Sequence, residues 1–442
     1  MAAEQTQDSK ANIKVEKQPN GQVRVVIEGL SIAGNMLDVE EGVLQYLNQA
    51  GTAIMKEALQ HHDVEGDPLF CGLEKWTSKG QCTETYETYF GKAEVKRHVY
   101  QSSEGGKTYC PLEEKAQLIE GATPKFAKTL SSKYAHLGVG RVTADLLDNH
   151  GRSISATYVQ RVSDAVGLLL TTKGERWQYA LPDDLDKRTV KALSVGIDGT
   201  CVLAVEGGYK QAMAGTISLL NQDGDRLHTI YVGSAPESGK KTFLWKMRKE
   251  LSAVIKEFPK AMVVGVADSA RDNWEFLNEF TDRQVIDFYH VAEYLNEAGD
   301  IISSNDAEKE AWLSSRCHDL KYKPKAADAI IIELKDYLGR KKLRTTDRKV
   351  VQKALTYFEN NGHMMTYPSA LNDNLPIGSG VTEAACKTLV KQRLGGAGMR
   401  WTPRGAHVVL QLRAAALTNN RWNAFWRKIS LYGVKIEADC AA

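Results

Sequence analysis

The 442 residues contain only seven cysteines, an odd number scattered with no Cys-x-x-Cys pair. That excludes a disulfide-dense secreted scaffold, and it removes the close knuckle on which most structural zinc sites are built. No apolar run approaches the roughly 18 residues of a membrane-spanning helix. The opening MAAEQTQDSK has no apolar stretch of the kind that directs secretion. A soluble cytoplasmic protein with no membrane partner is therefore expected. Acid is missing from one long tract: residues 387–428 hold nine Lys or Arg and no Asp or Glu, an asymmetry hidden by the net charge of +2. With 43% apolar and 25% charged residues the rest is ordinary globular composition, long enough for two or three domains.

One carboxylate stands at the head of that basic tract. The segment 374–404 opens on Pro376-Ile377-Gly378-Ser379-Gly380, where Ser379 or Gly380 is a candidate helix N-cap. The helix that follows carries Glu383, Lys387 and Lys391 at intervals of four, on one face, and stops at Gly395-Gly396. Glu383 reads either as a first-turn acid with an ordinary i,i+4 lysine, or as a metal-holding carboxylate beside a polyanion.

In chain order, residues 1–20 are polar and expected to form a disordered tail. Residues 21–110 read as a mixed α+β region: a strand at 23–27, a helix at 36–60, and hairpin strands at 84–90 and 94–100. Cys71, Cys82 and Cys110 lie here with His61, His62 and His98, a degenerate zinc-finger-like spacing. Isolated buried cysteines explain it better than zinc, which is not expected.

Residues 111–185 read as helical, with a helix at 139–148, a turn at Asn149-His150-Gly151, and a second helix capped by Ser153 or Ser155. That is the helix-turn-helix plan for DNA, with Thr157, Tyr158, Gln160 and Arg161 presented to bases or phosphates. It is also a common way to build a structural bundle.

A polar linker at 177–188 leads into α/β texture. Apolar runs at 192–197, 261–267 and 284–286 end on Asp198, Asp268 and Asp287, and strands at 210–220 and 227–232 flank the turn NQDGDR. Three antiparallel strands, a helix at 242–258, then strands alternating with helices is the plan of a ribonuclease H-like fold. Its first part is 186–290. An all-α insertion at 291–374 is basic around 321–325 and 340–348, either to meet phosphates or as a solvated helix pair. Residues 375–442 complete the core with the Glu383 helix and basic C-terminal helices.

Two strand-end carboxylates side by side repel unless a cation lies between them. If their strands are parallel, Asp198 and Asp268 emerge at one sheet edge. Oxygen ligation selects Mg²⁺ or Mn²⁺, and Glu383 would complete a two-ion site for in-line phosphoryl displacement.

The IDGT at Asp198, VADSA at Asp268, DFYH at 287–290, and PIGSGVTEAACK running into GMRW resemble the ISKra-type insertion-sequence transposases. These are bacterial DDE enzymes with a ribonuclease H-like core, akin to the Mutator-like group with its helical insertion. The resemblance covers roughly 85–428 and is most specific in its final block. It implies that Asp198, Asp268 and Glu383 form the triad holding two Mg²⁺ ions, with Mn²⁺ able to substitute. It implies further that His290 sits near the scissile phosphate. Lys387, Lys391, Arg393, Arg400 and Arg404 would hold phosphates, and Trp401 would stack on an unpaired base. The paired knuckles of many relatives are missing from the N-terminal region.

The expected function is a transposase that binds terminal inverted repeats of double-stranded DNA, cleaves the ends, and joins them to target DNA. It would work as a homodimer or larger assembly in the bacterial cytoplasm, on the nucleoid. The alternatives are a catalytically inactive, transposase-derived DNA-binding protein, or a ribonuclease H-like nuclease or resolvase.

Overall fold

The computed structural model describes residues 12–18, 22–30, 32–71, 74–102, 105–106, 108–174, 181–340 and 343–434. The chain is mixed α/β and divides into two units, 1–177 with 423–442, and 178–422. The segments expected as a mixed region and a separate helical domain thus fall in one unit, which also takes back the C-terminal residues. No described helix is long and apolar enough to cross a membrane.

The first unit begins with an antiparallel pair, β1 (Asn12–Lys17) and β2 (Val23–Glu28). This corrects the disordered tail for residues 12–17; residues 1–11, 19 and 20 lie outside the described ones. Ile13 and Val15 alternate with polar neighbours and face inward, a period-2 signal that average polarity hides. Helix α1 (Met36–Gln60) follows, its first turn capped by the Asn35 side chain accepting from the Asp38 N–H. Strands β3 (Leu69–Cys71), β4 (Glu74–Glu87), β5 (Lys92–Ser102) and β6 (Thr108–Tyr109) form an antiparallel sheet. Helices α2 (Pro111–Lys115), α3 (Pro124–His136), α4 (Val139–His150) and α5 (Ala156–Thr172) complete it. Gly151 takes the left-handed conformation that ends α4 (φ 61°), and the Ser155 side chain caps α5. The connection between α4 and α5 is fastened to the sheet by buried Arg152, which donates to Glu87 Oε2 at 2.6 Å and to the Thr88 carbonyl.

The second unit is built on a five-stranded sheet of order β11-β10-β7-β8-β9. Strands β7 (Ala192–Leu203), β8 (Tyr209–Leu220) and β9 (Arg226–Ser234) are antiparallel neighbours. Helix α6 (Lys241–Glu257) then leads to β10 (Met262–Ala267), α7 (Arg271–Leu277) and β11 (Arg283–Ile286); β10 runs parallel to both β7 and β11. Leu193, Val195, Ile197, Val264, Val266 and Ile286 fill the sheet's core with Phe243, Met247 and Leu251 of α6. The same core runs on into α8 (Phe288–Ile302), α9 (Asp306–Tyr322), α10 (Ala326–Arg340), α11 (Thr345–Asn361) and α12 (Tyr367–Asn372), so these helices belong to one apolar interior with the sheet. Some of their cations are met by their own acids: Arg316 by Glu333 at 2.7 Å, Lys323 by Asp319 at 2.8 Å, and Lys353 by Glu297 at 2.7 Å.

Two local expectations are corrected. β7 does not end before Asp198 but runs on to Leu203, because β8 supplies partners along its whole length and sets Asp198 opposite Ala214. The Glu383 helix is not uniform: α13 (Gly380–Ala385) passes through a π-helical stretch at Cys386–Lys391 into α14 (Gln392–Leu394). The wider π turn carries Lys391 off the strict four-residue face shared by Glu383 and Lys387. Helix α15 (Pro403–Leu417) lies on β9, and α16 (Arg421–Tyr432) leads the chain back to the first unit.

Candidate active site

The sheet aligns three acids. Val264 of β10 pairs with Ser194 of β7 and Gly265 with Val195; the same register, continued by three residues, sets Asp268 level with Asp198. Ala267 pairs with Ile286 of β11, so the next step sets Asp287 level with Asp268. Neighbouring strands lie about 4.8 Å apart, so by this count of residues the three acids form one row across the sheet.

Helix α13 reaches that row because β7 has a glycine beneath it. A Cβ on Gly196 would meet Thr382 Oγ1 at 2.0 Å, and Thr382 in turn shares a 2.7 Å hydrogen bond with Thr216 of β8. Glu383, next along the helix, is exposed, and its Oε1 accepts from the Ser379 hydroxyl at 2.8 Å. One residue into the π turn, the Cys386 thiol donates to Asp198 Oδ2 at 3.3 Å. Burial raises the thiol's pKa, and the neighbouring charges of Asp198 and Glu383 raise it further. Cys386 therefore stands neutral, with Asp198 and Glu383 both near it.

Asp268 is held on one side only. Its Oδ1 accepts from the Ala270 N–H at 3.1 Å and from Asn273 Nδ2 at 3.4 Å, while its carbonyl accepts from Trp274 Nε1 at 2.6 Å. Asn273 is buried, donates also to the Ile197 carbonyl at 3.3 Å, and accepts from Lys240 Nζ at 3.4 Å. Asp268 Oδ2 and Glu383 Oε2 accept no hydrogen bond among the described residues, leaving two carboxylate oxygens uncommitted.

The third acid of the row is committed. Asp287 is fully buried; its Oδ1 accepts from the N–H groups of Tyr289 at 2.6 Å and His290 at 3.0 Å, and its Oδ2 from the Ser379 N–H at 2.5 Å. His290 is half-buried and bonded through Nδ1 to Glu293 at 3.1 Å. Burial opposes its charged form, but the Glu293 hydrogen bond and the charges of Asp287, Glu293 and Asp268 outweigh that and raise its pKa.

No group of three or more His, Cys, Asp or Glu side chains that could hold a metal ion is gathered among the described residues. The donor set at the row is nonetheless oxygen-rich, with two uncommitted oxygens on separate carboxylates. In the chemistry of its donors alone, such a set suits a hard divalent cation such as Mg²⁺ or Mn²⁺ better than zinc.

The expected DNA-facing residues divide. Lys387, Lys391, Arg400 and Arg404 are exposed. Arg393 is not available to a phosphate: it is buried, with its guanidinium 5.0 Å from the Trp401 ring centre. Trp401 is anchored as well, through Nε1 to the Leu394 carbonyl and through a backbone bridge to Leu203 and Val205 at 3.0 Å. Tyr158 is half-buried beneath the Arg161 guanidinium, while Thr157, Gln160 and Arg161 are exposed. Of the cysteines weighed for zinc, Cys82 is exposed and Cys110 buried; Cys71 lies in β3, and its side chain is outside the description. His98, in the same region, is taken by Asp63 at 3.0 Å.

Gly196, Thr382, Cys386, Asn273 and Lys240 carried no functional signal in the sequence, because each matters only through a neighbour distant along the chain. Neither the protein-family models nor the curated proteins contain a match to this chain.

Proposed function

We propose that this chain is a DDE-type DNA transposase with a ribonuclease H-like core in 178–422, similar to the ISKra-type insertion-sequence enzymes. The observation that carries the reading is the parallel pairing of β10 with β7 up to Gly265 and Val195, three residues before Asp268 and Asp198, with the Glu383 helix seated over Gly196 of β7. The strand order β11-β10-β7-β8-β9, three antiparallel and two parallel, supports the ribonuclease H-like part.

On this reading Asp198, Asp268 and Glu383 are the residues that would hold two Mg²⁺ ions. Such ions would supply Lewis-acid activation of an attacking oxygen and stabilisation of the leaving one. Asp198, within β7, and Asp268, just past the end of β10, bring negative charge to the sheet, and Asn273 and Ala270 fix the rotamer of Asp268. His290, its pKa raised against the effect of burial by the Glu293 hydrogen bond and the charges of Asp287, Glu293 and Asp268, would meet a phosphate in its charged form. Lys387, Lys391, Arg400 and Arg404 hold DNA by charge, and α5 reads the terminal inverted repeats through Thr157, Gln160 and Arg161. Joining two element ends calls for a homodimer or larger assembly acting on double-stranded DNA.

The test is incubation of the purified full chain with element-end DNA and Mg²⁺, beside an Asp268→Asn control. Cleavage at the end followed by strand joining, both lost in the control, is the expected result. Cutting without joining or end preference would instead mark a nuclease or resolvase. A second reading, an inactive transposase-derived DNA-binding protein, is favoured by two observations: no three ligating side chains are gathered, and a thiol occupies Asp198 Oδ2. It predicts end binding without cleavage.

A further inference from the structure

The row of level acids contains one member that the chemistry above does not use. Asp287 is the most completely engaged carboxylate of the three. It caps the first turn of α8 with one oxygen and reaches across to the loop before α13 with the other. That loop is fastened to α8 at further points. The Phe288 N–H donates to the Ile377 carbonyl at 2.9 Å, and a Cβ on Gly378 would meet the Tyr289 ring at 2.9 Å. Ser379 then turns the connection toward the site: its N–H is held by Asp287, and its hydroxyl holds Glu383 Oε1 at 2.8 Å.

We infer that Asp287 is a positioning residue that sets the Glu383 carboxylate through Ser379, so that strand β11 aims an acid belonging to a helix 96 residues further along the chain. The inference rests on the metal reading only for the use made of Glu383; the strut itself stands on the hydrogen bonds. Charge suits the task. A carboxylate offers acceptors on both oxygens, and Asp287 uses both for three backbone N–H groups. An asparagine has one acceptor oxygen and would turn its NH₂ toward one of those donors. Burial makes the mismatch costly, since a buried donor left facing a donor loses its hydrogen bond with no water to replace it.

The test uses the full chain with two readouts. Amide hydrogen exchange is followed across 377–386, with 243–254 in α6 as the internal reference. Asp287→Asn is expected to raise exchange in the first segment by about tenfold or more and leave the second unchanged. Mn²⁺ binding is then followed by loss of the free-ion EPR signal. Ser379→Ala, which keeps the backbone N–H but removes the hydroxyl, is expected to weaken Mn²⁺ by about tenfold. Ser379→Thr, which restores a hydroxyl, is expected to stay within about twofold of the parent. Unchanged exchange in Asp287→Asn overturns the strut. Mn²⁺ affinity retained in Ser379→Ala but lost in Glu383→Gln overturns the link from Ser379 to Glu383. Should Glu383→Gln itself leave Mn²⁺ affinity as it was, the metal reading fails, and the proposed use of Glu383 with it; the exchange result still decides the strut.

Discussion

Gly196 lies directly beneath Thr382, with room for no atom between them: a Cβ there would stand 2.0 Å from Thr382 Oγ1 and 3.2 Å from the Val266 carbonyl. The contact seats the Glu383 helix on the strand that carries Asp198, two residues from the acid itself.

Gly196→Ala is therefore expected to lift α13 from the sheet. Thr382 is short, buried and bonded to Thr216, so it has little freedom to give way. Overpacking of this kind costs about 1–3 kcal/mol. Thermal melting should fall accordingly; on the transposase reading, Mg²⁺-dependent cleavage falls by more than the loss of folded protein explains. Adding Thr382→Ala should restore part of the melting temperature; if the double variant melts no higher than Gly196→Ala alone, the clash is not the cause.

On the transposase reading, His290 should confer a pH dependence on DNA affinity. Its pKa in the folded chain is raised above 6.5, so its favourable contacts belong to the cation. They are fully present below 6.5 and are lost as pH rises through the higher folded value. Binding to duplex DNA measured from pH 6 to 8.5 should weaken more steeply for the parent than for His290→Gln. Equal slopes would remove His290 from the DNA interface.

His407 supplies an acid limb of stability. Burial, then the nearby Lys246 charge, push its pKa down to about 4. A depressed folded value means stability present above 6.5 and lost as pH falls from there toward 4. With solvent screening allowed for, the loss is on the order of 1–2 kcal/mol. Melting between pH 7.5 and 4.5 should fall less in His407→Gln than in the parent.

On the transposase reading, Arg393 and Lys387 should separate folding from DNA binding. Arg393 is buried over Trp401, so Arg393→Ala should lower stability by about 2 kcal/mol and leave the salt dependence of DNA binding unchanged. Lys387→Ala, on an exposed face, should do the reverse, reducing the slope of log affinity against log salt by about 1. Equal salt slopes in Lys387→Ala and the parent would take the α13 face off the DNA.

Local pattern made much of this chain legible. The helix expected at 36–60 spans Met36–Gln60, since apolar spacing and the Asn35 cap act within a few residues. The apolar runs before Asp268 and Asp287 are parallel neighbours, and the NQDGDR turn joins β8 to β9. Short-range preference misread the rest where a distant partner overruled it. Asp198-Gly199 has the composition of a turn, yet β8 holds it in the ladder. Residues 12–17 look like polar tail until β2 supplies their pairing.

By itself, then, the sequence determined where strands and helices begin and that acids stand beside apolar runs, because those signals are carried by neighbours a few positions apart. Only the tertiary structure decided what each acid does. Asp287 became a buried strut and Arg393 an interior cation because hydrogen-bond partners and burial are supplied by segments many residues away. Asp268 and Glu383, which met no such partner on one side, keep an open oxygen each.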